Sequence, residues 1–226
     1  MATSPPDLVL LDAFGTLVDM EPPAPILADA LADAGYPFDL PVVQAALREE
    51  ISHYLAHMHL GGDPAGLAAL RAGCGAVLAR ALGPGAPPPA VATDLLVQSL
   101  RFRLYHDALP AMDALMGSGV RLGVVSNWDC ALPDHLARLG VADRFTVIAA
   151  SAAVGAPKPD PAIFLHACRI AGVDPSRALH VGDRRVEDYD AARAVGMRAL
   201  LLDRDGLEVG PDVISTLTAV VERITA

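Results

Sequence analysis

Asp7-Leu8-Val9-Leu10-Leu11-Asp12-Ala13-Phe14-Gly15-Thr16-Leu17-Val18-Asp19 carries an unbroken apolar run, Leu8 to Leu11, of the kind a strand buried on both faces shows. A carboxylate, Asp12, follows at once, and Gly15 then lets the backbone turn sharply. An acid at the carboxyl end of a buried strand stands where open α/β sheets hold their ligands. An Asp that merely caps a turn gives the same local pattern. The stretch gains weight because three later strand ends also carry reactive residues.

Working outward, the segment after this strand reads as helical for a long way. Helical patterns cover 26–34, 40–59, 64–82 and 90–105, separated by Gly- and Pro-rich connections, and no strand is expected among them. From Asp107 the period changes. Helices at 109–118, 133–139, 161–171 and 189–195 alternate with apolar strands at 120–125, 145–149, 178–181 and 198–202. That alternation predicts a parallel sheet covered on both faces, and the first strand must join it to be buried. The expected division is a core of 1–18 and 107–226 interrupted by an all-helical insert, 19–106.

With 226 residues, 53% of them apolar, the chain is long enough for one good core and a smaller second unit. A formal charge of −10 argues against nucleic acid and anionic membranes as partners. An anionic substrate must therefore be held by local positive groups. Cys74, Cys130 and Cys168 match no metal or disulfide spacing and read as thiols of a reducing compartment. The first residues lack a signal pattern and no stretch approaches membrane-spanning length, so the expected location is the cytoplasm. Of the 17 basic residues only Lys158 is a lysine, which suggests a site that needs a compact ammonium rather than a planar guanidinium.

Four features then fall at one edge of the predicted sheet. They are Asp12, Ser126-Asn127, Lys158 within Gly155-Ala156-Pro157-Lys158-Pro159-Asp160-Pro161, and Gly182-Asp183 with Asp188 five residues on. Together with Asp12-Ala13-Phe14-Gly15-Thr16-Leu17 and Val181-Gly182-Asp183 through Gly196-Met197, they make the sequence resemble the haloacid dehalogenase-like hydrolase superfamily, in the form with a helical cap inserted after the first motif. The resemblance implies an α/β fold, a Rossmann-like parallel sheet with helices on both faces plus an inserted all-helical cap. It implies Asp12 as nucleophile, Lys158 as the charge that offsets repulsion, and Ser126 with the Asn127 amide as hydrogen-bond donors to the transferring oxygens. It also implies a Mg²⁺ held by Asp12, the Phe14 carbonyl and Asp183, with Asp188 acting through water or by orienting Lys158. The expected substrate is a small phosphorylated metabolite; oligomeric state is not readable.

One departure matters. Phosphatases that the sequence resembles carry a second Asp two residues after the nucleophile, to protonate the leaving oxygen; here Phe14 occupies that position. An aromatic residue there is a feature of the superfamily's L-2-haloacid dehalogenases, which is the rival reading. The acidic fourth motif, Asp183, Glu187 and Asp188, favours a metal-dependent phosphohydrolase, because carboxylates crowded beside Asp12 repel one another without a cation. A third possibility is a ligand-binding protein that kept the site without turnover. His53, His57 and His59, Tyr54, Arg48, Arg184, Arg185, Trp128 and His180 are secondary candidates, each as readily explained by a helix surface, an ion pair or packing.

Overall fold

The apolar run 8–11 lies in the middle of a six-stranded sheet, and that position fixes where the reactive residues meet. The computed structural model describes residues 5–225. In chain order the elements are β1 (Leu8–Leu11), β2 (Val18–Met20), α1 (Pro23–Asp33), α2 (Leu40–His57), α3 (Pro64–Leu82), α4 (Pro89–Ser99), β3 (Phe102–Leu104), α5 (Ala108–Gly117), β4 (Arg121–Ser126), α6 (Leu132–Arg138), β5 (Phe145–Ala150), α7 (Ser151–Val154), α8 (Pro161–Ala171), β6 (Ala178–Gly182), α9 (Ala191–Ala194), β7 (Arg198–Leu202), β8 (Val213–Ile214) and α10 (Ala219–Thr225). The sheet order is β5-β4-β1-β6-β7-β8. Each neighbouring pair is parallel, with Leu11 level with Val124 on one side and Val181 on the other.

Strand order reverses at β1. The chain runs outward through β4 and β5 on one side, and through β6, β7 and β8 on the other. Connections diverge at such a point and leave a crevice beyond the carboxyl ends of the central strands. Helices cover both faces, and Leu8, Leu10, Val125, Phe164, Ala167 and Ala192 meet in the core on one of them.

The chain forms two compact units. One holds the residues up to Asp19 and from Leu104 onward; the other is Met20–Arg103. In the second unit α1 to α4 bury a separate apolar cluster that includes Leu27, Leu31, Leu47, Leu70 and Leu78. Helix α3 starts as its sequence predicts: Pro64 sits in the first turn, where its missing N–H costs nothing, and the Asp63 carboxylate accepts from the Gly66 amide at 2.8 Å. A Cβ on Gly75 would overlap Thr93 Oγ1 and stand 2.8 Å from the Pro89 carbonyl, so α3 and α4 approach closely there.

Three expectations need correction. A strand, β3, stands where only helix was expected, and the fourth helix ends at Ser99 rather than running to 105. β2 and β3 form a separate two-stranded sheet, made from the segments by which the chain leaves and re-enters the first unit. Such short, half-polar strands carry too few residues for a period of two to register. Next, the segment expected as a helix at 189–195 begins with a π-helical turn, Arg185–Asp190, before α9. Finally, Pro64–Leu82 is long and apolar enough to cross a membrane by length and composition, although Leu67, Leu70, Cys74, Leu78 and Leu82 are buried within the protein.

Candidate active site

Asp12 is the first residue beyond β1, and its amide extends the sheet ladder by donating to the Val181 carbonyl at 2.9 Å. This seats its carboxylate between the ends of β4 and β6. Ser126, the last residue of β4, donates its hydroxyl to Asp12 Oδ1 at 3.0 Å. Lys158 Nζ reaches the same oxygen at 2.6 Å and Asp188 Oδ1 at 2.5 Å, and its side chain is almost wholly buried. Asn127 contributes through its side chain. Its Nδ2 donates to the Lys158 carbonyl at 3.0 Å and its Oδ1 accepts from the Lys158 amide at 2.7 Å, so the turn carrying the lysine is clamped to the end of β4.

The π-helical turn brings Asp188 back over the end of β6. There its Oδ2 accepts from the Arg184 amide at 2.9 Å, and its Oδ1 accepts from His180 Nε2 at 3.0 Å. Any side chain at Gly182 would overlap the Asp188 carboxyl, which is why the strand ends in glycine. Gly15 is required for two reasons: its φ is +87°, and a Cβ there would lie 2.5 Å from Asp183 Oδ2. The sequence assigned His180 only to a strand end. It is fully buried on β6, packed edge-on against Phe164 with ring centroids 5.0 Å apart, and its Nδ1 has no hydrogen-bond partner. That pattern fits a ring whose Nε2 bears a proton and donates it to the carboxylate.

The electrostatics follow from burial. Burial pushes the Asp12 carboxyl above its ordinary range, and the Lys158 charge only partly offsets this. Asp188 is equally hidden, yet its bonds to His180 and the Lys158 charge overcome the burial and hold it far below that range. Asp183 is raised to about 6, first by burial and then by the negative charges of Asp12 and Asp188. For Lys158 the two carboxylates outweigh burial, and its pKa is raised. Asp12, Asp183 and Asp188 each offer an oxygen within 4.8 Å of the others. Bonds of about 2.1 Å to one small cation hold two oxygens no more than about 4.2 Å apart, so a separation near the 4.8 Å limit would have to close by a few tenths of an ångström on binding.

Phe14 differs in character from this cluster. Its side chain is 45% exposed, and its ring meets Trp128 edge-on with centroids 6.4 Å apart. Trp128 is itself nearly buried and packs against His135 at 5.7 Å. Arg184 lies 3.6 Å from Asp183, whereas Arg185 pairs with Glu208. In α2 the His53 and His57 rings stack at 4.2 Å, and His57 Nδ1 bonds to the His53 carbonyl. None of the three histidines His53, His57 and His59 belongs to the carboxylate cluster.

A supporting group beneath the site was not foreseen. Arg204, just past β7, grips Asp107 with two bonds of 3.0 Å and donates to the Thr16 carbonyl at 2.8 Å and the Gly15 carbonyl at 3.3 Å. Its guanidinium stacks on Tyr105 at 3.9 Å, and Asp107 also accepts from the Leu217 amide at 2.8 Å. Burial raises the Asp107 carboxyl, but Arg204 and the Leu217 amide outweigh it, so the net shift is downward. Thr16 braces the turn through this carbonyl, while its buried hydroxyl has no partner. Replacing Arg204 by Met strands a buried charge and is expected to cost about 3 kcal/mol in urea unfolding. Because the native Asp107 pKa is depressed, the pair contributes fully above the ordinary value of 3.8 and fades as pH falls through the native one. The gap between wild type and R204M should therefore narrow in acid.

Comparison with known proteins agrees with this geometry. The family model described as haloacid dehalogenase-like hydrolase matches residues 6–196. The mouse haloacid dehalogenase-like hydrolase domain-containing protein 3 is 48% identical over 84 residues, 37% of this chain and 34% of that protein. Phosphoserine phosphatase of Thermus thermophilus is 33% identical over 121 residues, 50% of this chain and 47% of that one. The aligned region thus spans between a third and a half of those curated relatives. The crystal structure of a 2-haloacid dehalogenase from Pseudomonas syringae superposes with a TM-score of 0.66 at 27% identity, covering 97% of this chain and 99% of that one. A match over most of the length, on a sheet whose central strand ends bear these side chains, places the chain in the haloacid dehalogenase-like hydrolase family.

Proposed function

We propose that the chain is a magnesium-dependent phosphohydrolase that transfers a phosphoryl group from a small metabolite to Asp12 and then to water. One observation carries this reading: three carboxylates, Asp12, Asp183 and Asp188, converge within 4.8 Å, and the buried ammonium among them is that of Lys158. The excess negative charge suits a divalent cation, and the all-oxygen donor set suits Mg²⁺. Asp12, Asp183 and the Phe14 carbonyl would hold it. Asp188, whose oxygens accept from Lys158, His180 and the Arg184 amide, would act on it through water or by orienting the lysine. When bound, the cation supplies positive charge to the transferring phosphate oxygens.

The chain's own residues do the rest. Lys158 and Ser126 both grip Oδ1 of Asp12, which leaves Oδ2 to attack. Lys158 and the Asn127 amide lower the repulsion between that carboxylate and a phosphate dianion. The inserted helical unit serves as a cap that selects the substrate, and the three cysteines, which form no disulfide, suit a cytoplasmic setting.

Phe14 favours a second reading, hydrolysis of a carbon–halogen bond by the same nucleophile, since halide leaves without a proton. The two separate in one panel. Phosphate release that chelation by EDTA abolishes supports the first; chloride release from 2-chloropropionate, indifferent to EDTA, would replace it with the second. Cation binding also predicts a pH effect. A ligand must be deprotonated, and Asp183 is raised to about 6, so protons compete as pH falls through that value. The rise in Tm on adding magnesium should be full at about pH 7.5 and largely lost by about pH 5.

A further inference from the structure

We propose that the substrates are phosphorylated compounds whose leaving group departs as a stable anion, such as acyl phosphates and phosphoric anhydrides, rather than alkyl phosphate esters. This rests on the phosphohydrolase reading and narrows it. Transfer proceeds in line, so the leaving oxygen lies across phosphorus from the attacking atom. The proton-bearing groups that the site fixes tightly, Ser126 and Lys158, are both bonded to Asp12 itself. They therefore stand on the attacking side. The next side chain outward along the nucleophile's own loop is Phe14, 45% exposed and set edge-on against Trp128. Phe14 carries no polar hydrogen, and the Trp128 indole N–H is far too weak an acid to give its proton to a leaving oxygen. Asp183 is close enough to touch a Cβ on Gly15, but it belongs to the carboxylate cluster that a cation would need ionised.

The chemistry balances without an acid. A bond forms between Asp12 and phosphorus as the bond to the leaving oxygen breaks, and the electron pair departs with that oxygen as a carboxylate or phosphate anion. Water then attacks phosphorus, and the breaking bond returns its pair to the Asp12 carboxylate. Both water protons pass to the released phosphate and solvent. The barrier of the first step must then track leaving-group acidity: carboxyl groups ionise near about 4 and phenols near about 10, while alkanols lie closer to water, about 16.

The test is kcat/KM with magnesium for acetyl phosphate, p-nitrophenyl phosphate, phenyl phosphate and glycerol phosphate, on wild type and Phe14→Asp. The expected result is a steep decline along the series, at least ~100-fold from the acyl to the alkyl phosphate, with F14D narrowing that acyl-to-alkyl ratio by ~100-fold. A flat series in wild type, as an acid supplied by the helical unit would give, overturns the inference while leaving the phosphohydrolase reading standing. Absence of phosphate release from every member, acetyl phosphate included, overturns both. The wild-type series decides even if F14D does not fold.

Discussion

Asp12→Asn should lower kcat on every phosphorylated substrate by about 10,000-fold or more while the protein stays folded. The amide has the carboxylate's shape, so the hydrogen bond from Ser126 and the extension of the β1 ladder can persist. What is lost is the attacking electron pair and one charge. Burial holds the Asp12 carboxyl above its ordinary range, which means that the native fold disfavours its ionised form. Removing that charge is therefore expected to leave the metal-free Tm unchanged or higher. The rise in Tm on adding magnesium should shrink at the same time, since one of its anionic ligands is gone. The two readouts together separate a lost nucleophile from a damaged fold. Turnover by D12N near the wild-type rate would remove Asp12 from the mechanism.

Lys158→Met carries the second large effect, and here stability falls as well. Nζ lies 2.6 Å from Asp12 and 2.5 Å from Asp188, and both carboxylates are buried. Removing the ammonium leaves two neighbouring anions without their counter-charge, a change that costs about 3–5 kcal/mol in buried pairs. Activity should fall by about 100- to 1,000-fold, the usual loss when one fixed electrostatic group is removed from a transition state. Lys158→Arg should not restore it, because both short bonds converge on one nitrogen, and a planar fork presents its donors differently. The double variant Lys158→Met/Asp188→Asn should recover much of the stability and none of the activity. The native Lys158 pKa is raised, so while its carboxylate partners stay ionised its contribution is full below the ordinary 10.5 and is lost as pH climbs through the native value. Urea midpoints and kcat measured on these variants check both halves.

Much of the site could be read from the chain because its parts are local. Asp12 follows an unbroken apolar run, Ser126 ends another, and Gly182-Asp183 ends a third. A parallel sheet aligns its strand ends, so residues placed just past each strand meet whatever the intervening sequence. Asn127 was assigned through its amide alone, and the side chain that clamps Lys158 was missed, because nothing near Asn127 in sequence reveals a partner 31 residues away. For the same reason Arg204 escaped notice: it joins Thr16, 188 residues distant, and Asp107, 97 residues distant. A single Arg in a polar loop after a strand gives no local pattern.

The sequence by itself determined the parallel α/β core and the strand ends at which Asp12, Ser126 and Asp183 stand, because hydrophobic period and strand-end placement are properties of neighbours along the chain. The tertiary structure alone decided that Asp188 serves His180 and Lys158 with one oxygen, that Gly182 is glycine to admit it, and that Arg204 braces the turn behind the nucleophile. Those are contacts between side chains and backbone from separate strands and loops, and they exist only once burial has excluded water and left each polar group to find a partner in the fold.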